Sequence, residues 1–141
     1  MKVVRLKKIH PKAEIPTRAT EGSAGWDLYA ASVTYRGSQV IYDTGIALQL
    51  PEGYVGLLFQ RSSVYKKPQR LCNAVGVLDQ DFLGTVKFIF DHDSVDLGDL
   101  YQIGDRIGQL VLIKYDEIMF EEVDELNETS RGVGGFGSSG N

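Results

Sequence analysis

Cysteine is nearly absent from this chain: Cys72 is the only one. One thiol cannot close an internal disulfide, which suits a reducing cell interior. Cys72 itself is expected to be a small buried hydrophobe rather than a nucleophile. Histidine is almost as scarce. His10 and His92 stand far apart, and with one cysteine they cannot supply the clustered ligands of a zinc site. No apolar run approaches the roughly 20 residues that cross a bilayer as a helix. The opening Met1–Lys8 mixes Lys and Arg into its apolar residues and lacks the apolar core of a secretion signal. The net charge of −4 works against general attraction to nucleic acid. It leaves room for an anionic small molecule gripped by a few local donors. A cytoplasmic or nuclear setting is expected, without membrane or direct nucleic-acid partners.

What is present is an ordinary globular composition, 43% apolar and 24% charged over 141 residues. That is enough chain for one domain with a real core. No segment carries a sustained helical period. Short runs of β-branched and aromatic residues recur instead, separated by Gly and Pro. Strands are expected at 2–7, 26–30, 39–42, 45–50, 54–59, 106–113 and near 117–121, with a brief pairing at 99–102. Residues 62–67 read as one helical turn, capped by Ser62 or Ser63 and ended by Pro68. Asp91 to Gly98 reads as an acidic loop. Many short strands punctuated by turns predict an all-β sandwich or barrel.

The stretch Asn73 to Phe90 organises the chain. Ala74-Val75 and Val77-Leu78 on one side, and Val86 with Phe88-Ile89-Phe90 on the other, read as two strands joined by a turn. Asp79, Gln80, Asp81 and Gly84 lie between them, with Gly84 expected to take a positive φ. Gly76 interrupts the first strand, as at a bulge or where another molecule meets the backbone. Asp79 has two readings: a solvated turn residue, or a carboxylate acting on a ligand held by main-chain groups.

The chain beyond Leu126 differs. Its five glycines among small polar residues cannot hold a core position, so residues 126–141 are expected to form a mobile arm on a 1–125 domain. Arg131 and Phe136 stand alone there. A lone cation and a lone ring on a glycine-rich arm suit a lid that wraps phosphate and stacks on a flat ligand, or a plain disordered end. Arg61-Ser62-Ser63 offers a guanidinium and two hydroxyls for an anion. Asp27 follows a turn, and a carboxylate near phosphates is usually there for a cation. Gly104-Asp105-Arg106 reads as a turn with a structural Asp–Arg pair. A magnesium ion would link these groups, since it needs only one or two carboxylates, water and phosphate oxygens.

Five stretches in order carry a resemblance: Ala24 to Ala30, Arg61-Ser62-Ser63, Asn73 to Gly84, Gly104 to Gln109, and Arg131 to Gly140. Together they resemble the motifs of the homotrimeric dUTP diphosphatases. The resemblance implies a jelly-roll-like β fold and Mg²⁺-dependent hydrolysis of dUTP to dUMP and pyrophosphate. That reaction keeps uracil out of DNA and supplies dUMP for thymidylate synthesis. Asp79 matches the general base that activates water for attack on the α-phosphorus. Asn73, Gly76, Val77 and Leu78 match the strand that pairs with uracil through its backbone. Phe82 stands where Tyr is usual, against deoxyribose, and Lys87 matches a lesser substrate contact. Arg61, Ser62, Ser63 and Gln109 match phosphate-binding positions. Ser63 replaces a usual Gly, and Gly108 a usual Ala expected to be harmless. Asp27 is implied to reach Mg²⁺ through water. Arg131, Gly137, Ser138 and Ser139 are implied to close over the phosphates while Phe136 stacks on the base. The resemblance also implies a trimer with sites shared between subunits. A dCTP deaminase and a non-catalytic nucleotide-binding module are the rival readings.

Overall fold

The structure, a computed structural model, describes residues 1–140. Nine strands form among these residues, several of them alternating in burial along their length, as period-2 apolar patterning dictates. They are β1 (Arg5–Lys8), β2 (Trp26–Tyr29), β3 (Ser32–Arg36), β4 (Gln39–Gln49), β5 (Tyr54–Phe59), β6 (Gln69–Leu71), β7 (Val75–Leu78), β8 (Thr85–His92) and β9 (Arg106–Lys114). Two antiparallel sheets result, an all-β architecture of the jelly-roll kind. One runs β1-β4-β8-β6, with β3 also on β4; the other runs β2-β9-β5-β7.

The core lies between the inner faces. Val40, Tyr42, Ile46 and Leu48 of β4 and Val86, Phe88 and Phe90 of β8 meet Leu28, Leu58, Leu78, Ile107 and Leu110 of the second sheet. The Tyr42 and Tyr101 rings each stand edge-on to Phe90, with centroids 5.8 Å away. Tyr42 donates its hydroxyl to the Tyr101 carbonyl at 2.9 Å, so this polar tip is paired inside the core.

Several expectations change. Val75–Leu78 and Thr85–His92 are strands, but they do not pair with each other: β7 pairs with β5, and β8 with β4 and β6. The turn between them therefore hands the chain from one sheet to the other. Gly84 has no positive φ there; Ala74, just before β7, does have one, at 56°. A single strand runs through Asp43-Thr44, with an irregular register between Asp43 and Ala47. Gly45 takes φ 66° at this point, and Asp43 Oδ1 accepts its N–H at 2.8 Å. The irregularity bends β4 from its pairing with β3 to its pairing with β1.

Strands β3 and β6 went unassigned in the sequence. The helical turn is a 3₁₀ helix, Ser62–Lys66, preceded by Arg61 and without a side-chain cap. A second short 3₁₀ helix, Leu97–Asp99, lies where a brief pairing was expected to begin. Among the described residues there is no strand at 117–121, and Ile118, Met119 and Phe120 are exposed. Cys72 is exposed rather than buried. Partial desolvation, then the neighbouring Asp91, push its thiol pKa up, which keeps it protonated.

Candidate active site

Antiparallel register brings the first group together. Asp27 of β2 pairs with Gln109 of β9, and Gln109 pairs on its other side with Phe59 of β5. Two residues beyond Phe59 comes Arg61, so three strands deliver their polar residues to one end of the second sheet. Arg61 Nε donates to Asp27 Oδ1 at 3.0 Å. Arg106 Nη1 donates to Asp27 Oδ2 at 3.3 Å. The Asp27 side chain is only 14% exposed, so both bonds act where water screens them poorly. Arg106 thus turns away from Asp105, correcting the expected pair; Asp105 accepts the Gln102 N–H instead. Sequence reading missed Arg106 as a site residue because its partner is distant in the chain.

Ser63 settles into the 3₁₀ helix without a positive φ. Its hydroxyl accepts from Arg61 Nη1 at 3.2 Å, so the residue that replaces a usual glycine helps hold the guanidinium. Ser62 is exposed beside it. Gln109 donates to the Gln60 carbonyl at 3.3 Å. A side chain on Gly25 would begin 2.3 Å from Gln109 Oε1, so glycine there makes room for this amide. Lys66, Lys67 and Arg106 join Arg61 around an open cavity of about 280 Å³.

The second group lies along β7. Asn73, Gly76, Lys87 and Phe88 line a cavity of about 270 Å³. Gly76 is buried; a Cβ there would sit 3.0 Å from Leu58 Cβ on the paired strand, so the close neighbour is the chain itself. Leu78 is buried in the core, whereas Val75 and Val77 face out. In its sheet β7 pairs only with β5 and forms an edge. One row of its N–H and C=O groups is therefore free for a ligand's hydrogen bonds. Asp79 follows directly, exposed at the turn, where its carbonyl accepts the Phe82 N–H at 3.2 Å. The half-exposed Phe82 ring lies over Gly84, where a Cβ would meet it at 2.6 Å. No positive φ requires glycine there, and a Cβ would push the exposed ring aside. Lys87 reaches Asp43 Oδ2 at 3.6 Å.

The two groups are not together. Val75 stands level with Phe59 and so with Gln109, and Asp79 lies four residues further along. Strand rise and two inter-strand spacings put Asp79 roughly 16 Å from Gln109. The arm joins neither group. Arg131 Nε donates to the Gly134 carbonyl at 2.8 Å, and Ser138 N to the Gly135 carbonyl. Phe136, Gly137 and Ser139 are exposed. Asn141, at the arm's end, lies outside the described residues.

Comparison with known proteins fits this geometry. The dUTPase family model matches residues 11–140. The chain is 41% identical to the deoxyuridine 5'-triphosphate nucleotidohydrolase of Corynebacterium glutamicum, over 99% of this chain and 94% of that one. A Staphylococcus bacteriophage 80alpha dUTPase, solved with dUPNHPP, superposes with a TM-score of 0.85 at 25% identity and full coverage of both chains. A dUTPase from phage phi11 of S. aureus, described with a structural Mg(II) ion, matches at TM-score 0.74 and 23% identity over 87% of this chain and 97% of that one, a likeness of fold. The chain belongs to the dUTPase family.

Proposed function

We propose that this protein hydrolyses dUTP to dUMP and pyrophosphate. The observation that carries the reading is the family match across residues 11–140, which includes every site residue named above. The β7 edge supports it: free main-chain groups beside the Asn73–Gly76 cavity can pair with a pyrimidine edge. Polar groups left unpaired by a cytosine reject it more strongly than bulk alone would. Phe82 lies against the sugar, and Phe136 stacks on the base when the arm closes. Lys87 borders the same cavity.

At the other end, Arg61, Ser62, Ser63 and Gln109 hold the phosphates, with Arg131, Gly137, Ser138 and Ser139 closing from the arm. Asp79 takes a proton from water as its oxygen attacks the α-phosphorus in line. The bond from the α-phosphorus to the bridging oxygen breaks, and pyrophosphate leaves with that oxygen. The products are dUMP, pyrophosphate and one proton, and dUMP becomes available for thymidylate synthesis.

The donor set fits Mg²⁺. Among the described residues no group of three or more His, Cys, Asp or Glu could cage a metal, and Asp27 offers oxygens that keep a lone pair beyond their arginine bonds. Asp27 would hold the ion through water, and bound Mg²⁺ would neutralise phosphate charge. The distance between Asp79 and Gln109 within one chain supports a symmetric trimer in which each site draws on several copies.

Pyrophosphate release measured with magnesium across dUTP, dTTP, dCTP and UTP tests the proposal. Rapid release from dUTP alone is expected. Comparable rates with dCTP or UTP would remove the assigned specificity.

A further inference from the structure

Gly108 and Phe88 belong to opposite sheets, on β9 and β8, yet they touch. A methyl group on Gly108 would sit 2.1 Å from Phe88 Cε1 and 2.5 Å from Cζ. Gly108 has no positive φ, so space alone requires glycine there. Phe88 cannot swing away to water. It is 1% exposed and stacked on Phe90, with ring centroids 6.4 Å apart. Phe88 is also one of the residues lining the cavity beside Asn73 and Gly76.

We propose that Phe88 is the inner wall of the base cavity and that Gly108 fixes how far this wall stands from the ligand. The pair is then a specificity determinant that neither residue provides alone. Interiors are close-packed, so volume added at 108 must displace the ring, and the cavity that Phe88 helps line is the open space beside it. Gly in place of the usual Ala suits this chain: with Phe at 88, a methyl group at 108 would meet the ring. The inference rests on the assignment of this cavity to the pyrimidine.

Four full-length proteins test it: wild type, Gly108→Ala, Phe88→Val and the double variant. Each is titrated with dUMP by calorimetry well below its melting temperature, then assayed with dUTP and dTTP. Gly108→Ala is expected to weaken dUMP binding and raise the KM for dUTP about tenfold, with kcat within about twofold. Phe88→Val deepens the cavity and is expected to raise the dTTP-to-dUTP ratio of kcat/KM about tenfold, the usual scale for one methyl group. The double variant is expected to regain dUMP affinity to within about threefold of wild type, as coupled neighbours do.

Equal weakness of Gly108→Ala and the double variant toward dUMP would overturn the proposal, even if the melting temperature recovers. So would an unmoved dTTP-to-dUTP ratio in Phe88→Val, the variant that still decides if Gly108→Ala fails to fold. A wild type that neither binds dUMP nor hydrolyses dUTP would instead bring down the base assignment itself.

Discussion

Asp27 holds two arginines at once, Arg61 at 3.0 Å on one carboxylate oxygen and Arg106 at 3.3 Å on the other. Asp27→Asn keeps the shape but removes the charge that faces both guanidinium groups. A charge-assisted bond in this setting is worth about 2 kcal/mol, so the variant is expected to unfold at lower denaturant. Its turnover is expected to fall roughly 100-fold because Arg61 is no longer fixed. Urea titration and pyrophosphate release check the two effects separately.

Asp79 carries no structural burden comparable to this. It sits exposed in the turn and contributes a backbone carbonyl to it. Asp79→Asn is expected to keep the melting temperature and the affinity for dUTP while kcat drops by about 10²–10⁴-fold. Single-turnover measurements beside a binding titration check this; unchanged turnover removes Asp79 from the mechanism.

Cutting the chain after Asn127 deletes Arg131, Phe136 and the serines. Their hydrogen bonds among the described residues are local to the arm, so the fold should not feel the loss. Melting is expected to stay within a degree or two, and activity to fall roughly 100-fold. Adding EDTA to the full chain is expected to do likewise, abolishing turnover without lowering the melting temperature, since no metal cluster braces the described residues.

Tyr42 supplies a prediction about alkaline pH. Burial raises its pKa above the ordinary 10.0, and burial raises that of Tyr101 as well. Above pH 10 the unfolded chain loses these protons while the native state keeps them. Stability is therefore full below pH 10 and falls as pH rises beyond it, by at most about 1.4 kcal/mol per pH unit for Tyr42, with Tyr101 acting in the same direction. Tyr42→Phe is expected to flatten that decline. It also costs about 1 kcal/mol at neutral pH through the lost bond to the Tyr101 carbonyl. Chemical unfolding between pH 8 and 11 measures both.

The sequence reveals which segments are strands better than what they pair with. Val75–Leu78 and Thr85–His92 alternate apolar and polar residues plainly, yet nothing local tells that β7 and β8 sit in different sheets. Ser32–Arg36 escaped notice although Val33 and Tyr35 alternate ahead of Gly37, whose φ of 58° makes the tight return into β4. At the site, the ordered motifs pointed to Asp27, Arg61 and Gln109, which the structure brings together. The Asp27 bonds join positions 34 and 79 residues apart, and only register brings them together. Cys72 misled because its type is usually buried, whereas its place just after edge strand β6 leaves it in the open.

The crossing between Leu78 and Thr85 is one of several links between the two β layers. Asp79 and Phe82 ride on it, with their anchors in separate layers. On the proposed mechanism, a slip of the layers would misdirect the attacking water and loosen the grip on deoxyribose in one movement. Warming that softens the seam should thus blur fidelity and slow the chemistry in step, at temperatures where the chain is still folded.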